Sequence, residues 1–219
     1  MTTDELKRNV ERVRSNIERA AIRNGSRVEL VAAVKTVPPD VINLAASFGI
    51  TDVGENRVQE YVAKKDDVQG VKWHFIGTLQ RNKEKYLVGN VALIQSVNCA
   101  ELAAEIDRLA GKRGIVQDVL IEVNAAGESS KTGAPICVAD ELIGYAQSLN
   151  NLRVRGLMSV PPKGADTSVY ERLFALYSGH ARGAFDVLSV GMSEDYEKAI
   201  DCGSNMVRLG TAIFGRRVQ

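Results

Sequence analysis

The chain has 219 residues, with 45% hydrophobic residues, 25% charged residues and a formal net charge of +1. That balance supports a sizeable core, in one large α/β domain or two small ones, and excludes a disordered chain. A charge so near zero argues against nucleic acid as the main partner, and no apolar run reaches the ~20 residues of a membrane span.

The opening "MTTDELKRNVERVR" has no apolar core of the kind a signal peptide carries. It reads as a helix. Thr2 and Glu5 have capping-box spacing, Leu6, Val10, Val13 and Ile17 recur at helical intervals, and Gly25 is a natural stop. Strand-like apolar runs follow at residues 30–35, 50–54, 73–77, 91–97, 118–124, 153–160, 186–191 and 206–210. Helical patterns lie between them. In "AELAAEIDRLAGKRG", Asn98 and Glu101 have cap-like spacing, and Leu102, Ile106 and Leu109 form an apolar stripe. Another helical pattern runs through "VADELIGYAQSL". No linker, low-complexity tract or charge block divides the chain, so residues 1–219 are expected to form one domain. Cys99, Cys137 and Cys202 are scattered and form no C-x-x-C. They point to neither a disulfide framework nor a zinc site, and to reduced thiols in a cytoplasmic protein.

Eight strands alternating with helices imply parallel pairing through right-handed crossovers. An open doubly wound sheet usually carries a Gly-rich turn after its first strand. Here "KTVPPD" follows, without glycine. The count of eight favours a closed (β/α)₈ TIM barrel with an extra N-terminal helix, shorter than the ~250 residues typical of the fold.

A barrel puts its chemistry at the C-terminal ends of the strands. The first strand ends in Lys35, which shares a face with Ala33 and Val31 by strand alternation. If that face is the interior, an amine points into the mouth above small residues. Partial desolvation then lowers its pKa and makes it the nucleophile a Schiff base needs. The plainer reading is a solvated lysine at a strand exit.

The last strand shifts the balance. In "VRLGTAIFG", Gly210 and Thr211 open a short helix whose backbone N–H groups suit phosphate. Ser193, after the seventh strand, adds a hydroxyl, or simply caps the helix "EDYEKAIDCG". Arg208 lies on the same face as Met206 and Gly210, and an inward arginine needs acceptors. An amine, a phosphate cradle and a buried arginine together suggest pyridoxal 5′-phosphate. Lys35 would take the aldehyde, and Ser193, Gly210 and Thr211 the phosphate. Arg208 would face the ring nitrogen and leave the ring a weak electron sink.

The segments "LVAAVKTVPPDVI", "DVGENRVQE", "WHFIGTLQRNK", "NAAGESSKTG", "RGLMSVP", "LSVGMSEDYEKAI" and "VRLGTAIFG" run in order through residues 30–215. In them the chain resembles the pyridoxal phosphate homeostasis proteins, single-domain relatives of the alanine racemase barrel. The resemblance implies the cofactor on Lys35, Asn56 near its ring, and a role in holding and delivering the cofactor rather than in turnover. Asn205 and Arg81 depart from the family pattern, and Arg81 bears on the mouth.

Other candidates have plainer readings. His74 is a possible base but more simply a satisfied core residue. His180 ends a helical stretch and reads as exposed. Lys131 is a second amine over the mouth or a solvated loop lysine. Tyr61 reads as a surface residue. The leading expectation is a cytoplasmic, monomeric carrier of pyridoxal phosphate that serves apoenzymes. An amino-acid racemase using the same cofactor is the alternative. A racemase needs two opposed acid/base groups, and the related racemases take the second from a C-terminal domain, whereas this chain ends nine residues after Gly210. A third reading is a cofactor-free barrel in which Lys35 attacks a phosphorylated metabolite directly.

Overall fold

The computed structural model describes residues 1–80, 82–127 and 132–215. It opens with α1 (Thr3–Asn24). Thr2 Oγ1 accepts from the Glu5 N–H at 3.2 Å, and Glu5 Oε2 accepts from the Thr2 N–H at 2.7 Å. Such a reciprocal cap is worth about 1 kcal/mol. Gly25 closes the helix in the left-handed region.

Then follow β1 (Glu29–Ala33), α2 (Pro39–Ser47), β2 (Asp52–Glu55), α3 (Val58–Lys64), β3 (Lys72–Phe75) and β4 (Leu93–Val97). The chain continues through α4 (Ala100–Lys112), β5 (Gln117–Asn124), β6 (Ala134–Pro135), α5 (Ala139–Gln147) and β7 (Leu152–Met158). It ends with α6 (Thr167–His180), β8 (Val187–Ser189), α7 (Tyr196–Asp201), β9 (Met206–Leu209) and α8 (Thr211–Phe214). The sheet order is β4-β3-β2-β1-β9-β8-β7-β5, and a β4–β5 pairing closes it into an eight-stranded parallel barrel. The two-residue β6 pairs with the end of β5 and has no counterpart in the sequence pattern.

The helix α1 buries Leu6, Val10, Val13, Ile17 and Ala20 on one stripe. It packs against α7, α8 and α2, outside the seam where β1 pairs with β9. Asn24 Nδ2 donates to the Ile200 carbonyl at 2.9 Å and Asn9 Nδ2 to the Ile213 carbonyl at 3.1 Å. Since α8 is a single turn, α1 supplies the cover that a helix after the last strand would otherwise give.

Two helix expectations change. The helix α4 starts at Ala100 with Cys99 at its cap and no side-chain cap bond, so Asn98 does not cap it. Its buried face is Leu102, Ala103, Ile106 and Ala110, with Leu109 only partly buried. Two alanines on that face let the helix sit close and turn Leu109 to the edge. Between β3 and β4 the described residues hold one 3₁₀ turn, Glu84–Tyr86, in place of a helix.

Two cores result. The larger fills the space between strands and helices. The smaller is inside the barrel: Val31, Leu93, Leu120, Met158, Val187 and Met206. One step up the same faces, two residues on, stand Ala33, Gln95, Glu122, Val160, Ser189 and Arg208. The interior thus changes from apolar to largely polar just below its C-terminal rim, and that change sets up the site.

Candidate functional site

A cavity of about 910 Å³ opens at the C-terminal end of the barrel. Its walls come from Ala33 and residues 35–38 after β1, residues 161–165 after β7, residues 192–195 after β8, and Arg208, Gly210 and Thr211. The register explains why these meet. Val31 pairs with Arg208 across β1 and β9, which puts Ala33 level with Gly210 and Lys35 level with the α8 turn. Gly210 keeps that level open, because a Cβ there would lie 3.3 Å from the Ala33 carbonyl oxygen.

Lys35 therefore lines the cavity, as expected, but it is exposed rather than desolvated. β1 ends at Ala33, earlier than the apolar run suggests, so Lys35 stands in a turn above the rim. Thr211 is exposed beside it, and Gly210 is half-buried. Ser193 Oγ accepts from the Ala212 N–H at 3.1 Å. It thus closes the first turn of α8 and does not cap the helix that follows it. Asp195 holds that second place. Its carboxylate takes the Met192 N–H at 2.7 Å and the Tyr170 hydroxyl at 2.6 Å.

Arg208 is 5% exposed. Nη1 donates to the Ser189 carbonyl and to Ser189 Oγ, both at 2.7 Å, and Nη2 donates to the Ser159 carbonyl at 2.8 Å. All three acceptors are neutral. Burial brings the guanidinium down to about 10, while Glu122 and Asp195 pull it up, so it stays charged at neutral pH. Burial pushes the Glu122 carboxyl above its ordinary range against the opposing effects of Thr132 and Arg208. Thr132 donates to Glu122 Oε1 at 2.5 Å, and Glu122 Oε2 has no hydrogen-bond partner among the described residues.

A buried polar chain runs down from Arg208. Ser189 Oγ donates to Gln95 Oε1 at 2.7 Å, and Gln95 Nε2 meets His74 Nδ1 at 3.1 Å. His74 Nε2 meets Asp52 Oδ1 at 3.1 Å. The Gln95 amide nitrogen can only donate, so His74 Nδ1 accepts and Nε2 carries the hydrogen toward Asp52. Burial acts to raise the Asp52 carboxyl, but His74 and Thr51 bring it below its ordinary value. His74 is thus a satisfied interior residue and does not line the cavity.

The remaining candidates fall as follows. Asn56 stands just past β2 with its N–H on Glu55 Oε2 at 3.0 Å. It is outside the lining of the main cavity. Gly77 makes room for it, since a Cβ there would lie 2.1 Å from the Asn56 carbonyl oxygen. Tyr61 is buried, not a surface residue. Its ring meets Trp73 edge-on at 5.3 Å, and its hydroxyl donates to the Asn90 carbonyl at 2.9 Å. His180 is half-buried and bonds Asp140 at 2.6 Å. Lys131 and Arg81 lie outside the described residues. Sequence reasoning missed Gln95, Glu122 and Ser189. Their signal was available: each is a polar residue at an inward position of an apolar strand.

The family model for the alanine racemase N-terminal domain matches residues 3–218. A pyridoxal phosphate homeostasis protein of Aquifex aeolicus is 43% identical over 98% of this chain and 97% of its own. One from Escherichia coli K12 is 36% identical over the same shares. Among solved structures, a protein of unknown function from Bifidobacterium adolescentis superposes with a TM-score of 0.90 at 32% identity, over 97% of this chain and 95% of that one. PipY of Synechococcus elongatus PCC7942, solved with pyridoxal phosphate bound, gives 0.83 at 28% identity, over 96% of this chain and all of that one.

Proposed function

This chain belongs to the pyridoxal phosphate homeostasis protein family, and from that premise we propose that it binds pyridoxal 5′-phosphate through a Schiff base on Lys35. We take it to hold and release the cofactor without turning over a substrate. The observation that carries the reading is the convergence on one cavity of an amine after β1 and an anion-sized turn after β9, above a buried arginine. Such a cavity has room for the cofactor. The aldehyde of the bound group supplies a carbonyl that condenses reversibly with an amine.

The chain's own residues would divide the work. Lys35 provides the amine. Thr211, Gly210 and Ser193 offer hydroxyl and backbone donors to the phosphate at the opening of α8. Arg208, held from behind by neutral acceptors, would present a donor-only group to the ring nitrogen. A permanent cation there would leave the ring nitrogen unprotonated and make the ring a weak electron sink. Asn56, just past the end of β2, lies outside the lining of this cavity, and its place near the ring rests on the family resemblance alone.

The absence of turnover is supported by the other ionisable groups on the wall. Racemisation needs a second acid/base group opposite Lys35. The Tyr170 hydroxyl is held by Asp195 and pushed well up by burial and that bond. Lys198 donates to the Ala165 carbonyl at 2.7 Å, and Lys163 pairs with Glu194 at 3.0 Å. Each already has a partner. As one barrel unit acting alone in the cytoplasm, the protein would pass its cofactor to apoenzymes that depend on it.

The test is direct. Purified protein loaded with pyridoxal phosphate should absorb in the visible, and borohydride reduction should fix the adduct on Lys35 by mass spectrometry. Lys35→Ala should lose both signals while keeping the fold. A variant that retains the visible band removes the central claim. Formation of D-amino acids from L-amino acids at about one turnover per second or faster would replace the carrier with a racemase.

A further inference from the structure

The turn that presents Lys35 is strained and is gripped from outside the cavity. The Val37 N–H donates to the Val34 carbonyl at 2.9 Å, which makes Lys35 and Thr36 the central residues of a tight turn. Thr36 has φ of 61°. A β-branched residue takes that left-handed conformation only at a cost. Strain of this kind persists where surrounding contacts over-determine it, and it gathers at functional sites.

Three side chains, Glu60, Lys64 and Glu55, supply those contacts. Glu60 Oε2 accepts from the Thr36 N–H at 2.7 Å. Lys64, one turn further along α3, donates to the Val34 carbonyl at 3.0 Å and to Glu60 Oε2 at 3.3 Å. Fully buried Glu55 accepts from Lys64 at 2.6 Å and anchors it from β2. Both ends of the turn are therefore held, the first carbonyl by Lys64 and the strained N–H by Glu60. Burial acts to raise the Glu60 carboxyl, but the Thr36 N–H and Lys64 hold it below its ordinary range, so it is an anion at neutral pH. A buried ion pair contributes little net stability for its desolvation cost. Its placement behind the Lys35 turn calls for another account.

We propose that Glu60, braced by Lys64 and Glu55, is a positioning residue for Lys35: it locks Thr36 in its left-handed conformation so that the amine faces the cavity before any cofactor arrives. The inference rests on the assignment of Lys35 made above. If Thr36 relaxes to negative φ, the chain on its two sides swings apart, and Lys35 leaves the level of the α8 turn. The clamp then acts through pre-organisation, and its loss should appear in binding.

The experiment titrates pyridoxal phosphate into wild type, Glu60→Ala, Glu60→Gln, Glu60→Ala/Thr36→Gly and Lys35→Ala, following the visible absorbance. Amide hydrogen exchange at residues 36 and 37 is read in parallel on the cofactor-free proteins. Glu60→Ala should weaken binding about 5- to 30-fold, the size of a left-handed penalty, and speed that exchange. Glu60→Gln keeps an acceptor oxygen and should bind close to wild type. The double variant should recover most of the affinity, because glycine takes the left-handed region freely. A merely structural role for Glu60 would not be rescued by a glycine beside the amine. Wild-type affinity and exchange in Glu60→Ala, or a loss that Thr36→Gly fails to reverse, overturns the clamp. The Lys35→Ala arm separates the two readings. Undiminished binding there sinks the assignment of Lys35, whereas loss there with unchanged binding in Glu60→Ala sinks the clamp alone.

Discussion

The polar chain inside the barrel can be tested at its middle bond by a double-mutant cycle. Gln95 is fully buried, and its Oε1 takes the Ser189 hydroxyl at 2.7 Å. Gln95→Met keeps the shape of the side chain but leaves the Ser189 hydroxyl and His74 Nδ1 without that partner. Ser189→Ala leaves Gln95 Oε1 unpaired and takes one acceptor from Arg208 Nη1, which keeps the Ser189 carbonyl. An orphaned buried polar group costs about 1–3 kcal/mol. The double variant removes both ends of the bond, so neither end is left orphaned. The two changes should therefore couple by about 1–3 kcal/mol, with the double variant more stable than the sum of the singles predicts. The Arg208 effect is common to both Ser189→Ala legs and cancels. Urea unfolding followed by Trp73 fluorescence is the assay, since Trp73 is the only tryptophan and is next to His74 on β3. At a slope of about 2 kcal/mol/M, 1 kcal/mol moves the midpoint by about 0.5 M. Additivity within about 0.3–0.5 kcal/mol, the behaviour of independent sites, would refute the chain.

Two further outcomes follow from the same geometry. Ser193→Ala with Thr211→Ala removes two hydroxyls from the proposed phosphate position, each worth about 1.5–3 kcal/mol toward a charged group. Cofactor affinity should fall by about one to four orders of magnitude, and an unchanged titration would place the phosphate elsewhere. Toward acid, Glu60 and Asp52 are both held below their ordinary values. Their contribution is fully present above the unfolded-state values near 4 and is lost as pH falls through the lowered folded-state values. Urea midpoints taken from pH 7 to pH 3 should show that loss, and Glu60→Gln should flatten it. An equal acid slope in that variant would contradict the Thr36 contact.

The barrel was legible because each strand is short, apolar and set off by a helix or turn, so eight runs appear without knowledge of their pairing. Boundaries slipped where burial and pairing part company. Val34 is buried, yet pairing in β1 stops at Ala33, and that difference lifts Lys35 out of the barrel into solvent. The inward face of Arg208 could be read by alternation from Met206. The acceptors of its guanidinium could not, because Ser189 ends β8 and Ser159 follows β7, and these strands are brought to β9 only by the sheet's pairing. Ser193 shows the same limit. A serine ahead of a helix reads as its cap, but its hydroxyl serves a different helix, nineteen residues away in sequence. The grip of Glu60 and Lys64 on the Lys35 turn is also non-local, although their spacing on α3 marks them as a pair.

Exposure of Lys35 bears on what the site is suited to do. An enzyme that stabilises a reactive carbanion gains by closing over it and excluding water. A carrier needs the reverse, because release of a cofactor from a lysine requires water or a recipient amine to reach the carbon that the lysine holds. In this barrel the groups proposed to grip the cofactor without reacting are drawn inward: Arg208 is buried, and Ser193 and Gly210 are half-buried. The one group proposed to react is in solvent, on a turn stiffened from behind. On the proposed reading, firm anchorage of the phosphate and ring with a pre-set amine would let the covalent link exchange while the cofactor stays in register. This division of labour favours reversible loading over turnover.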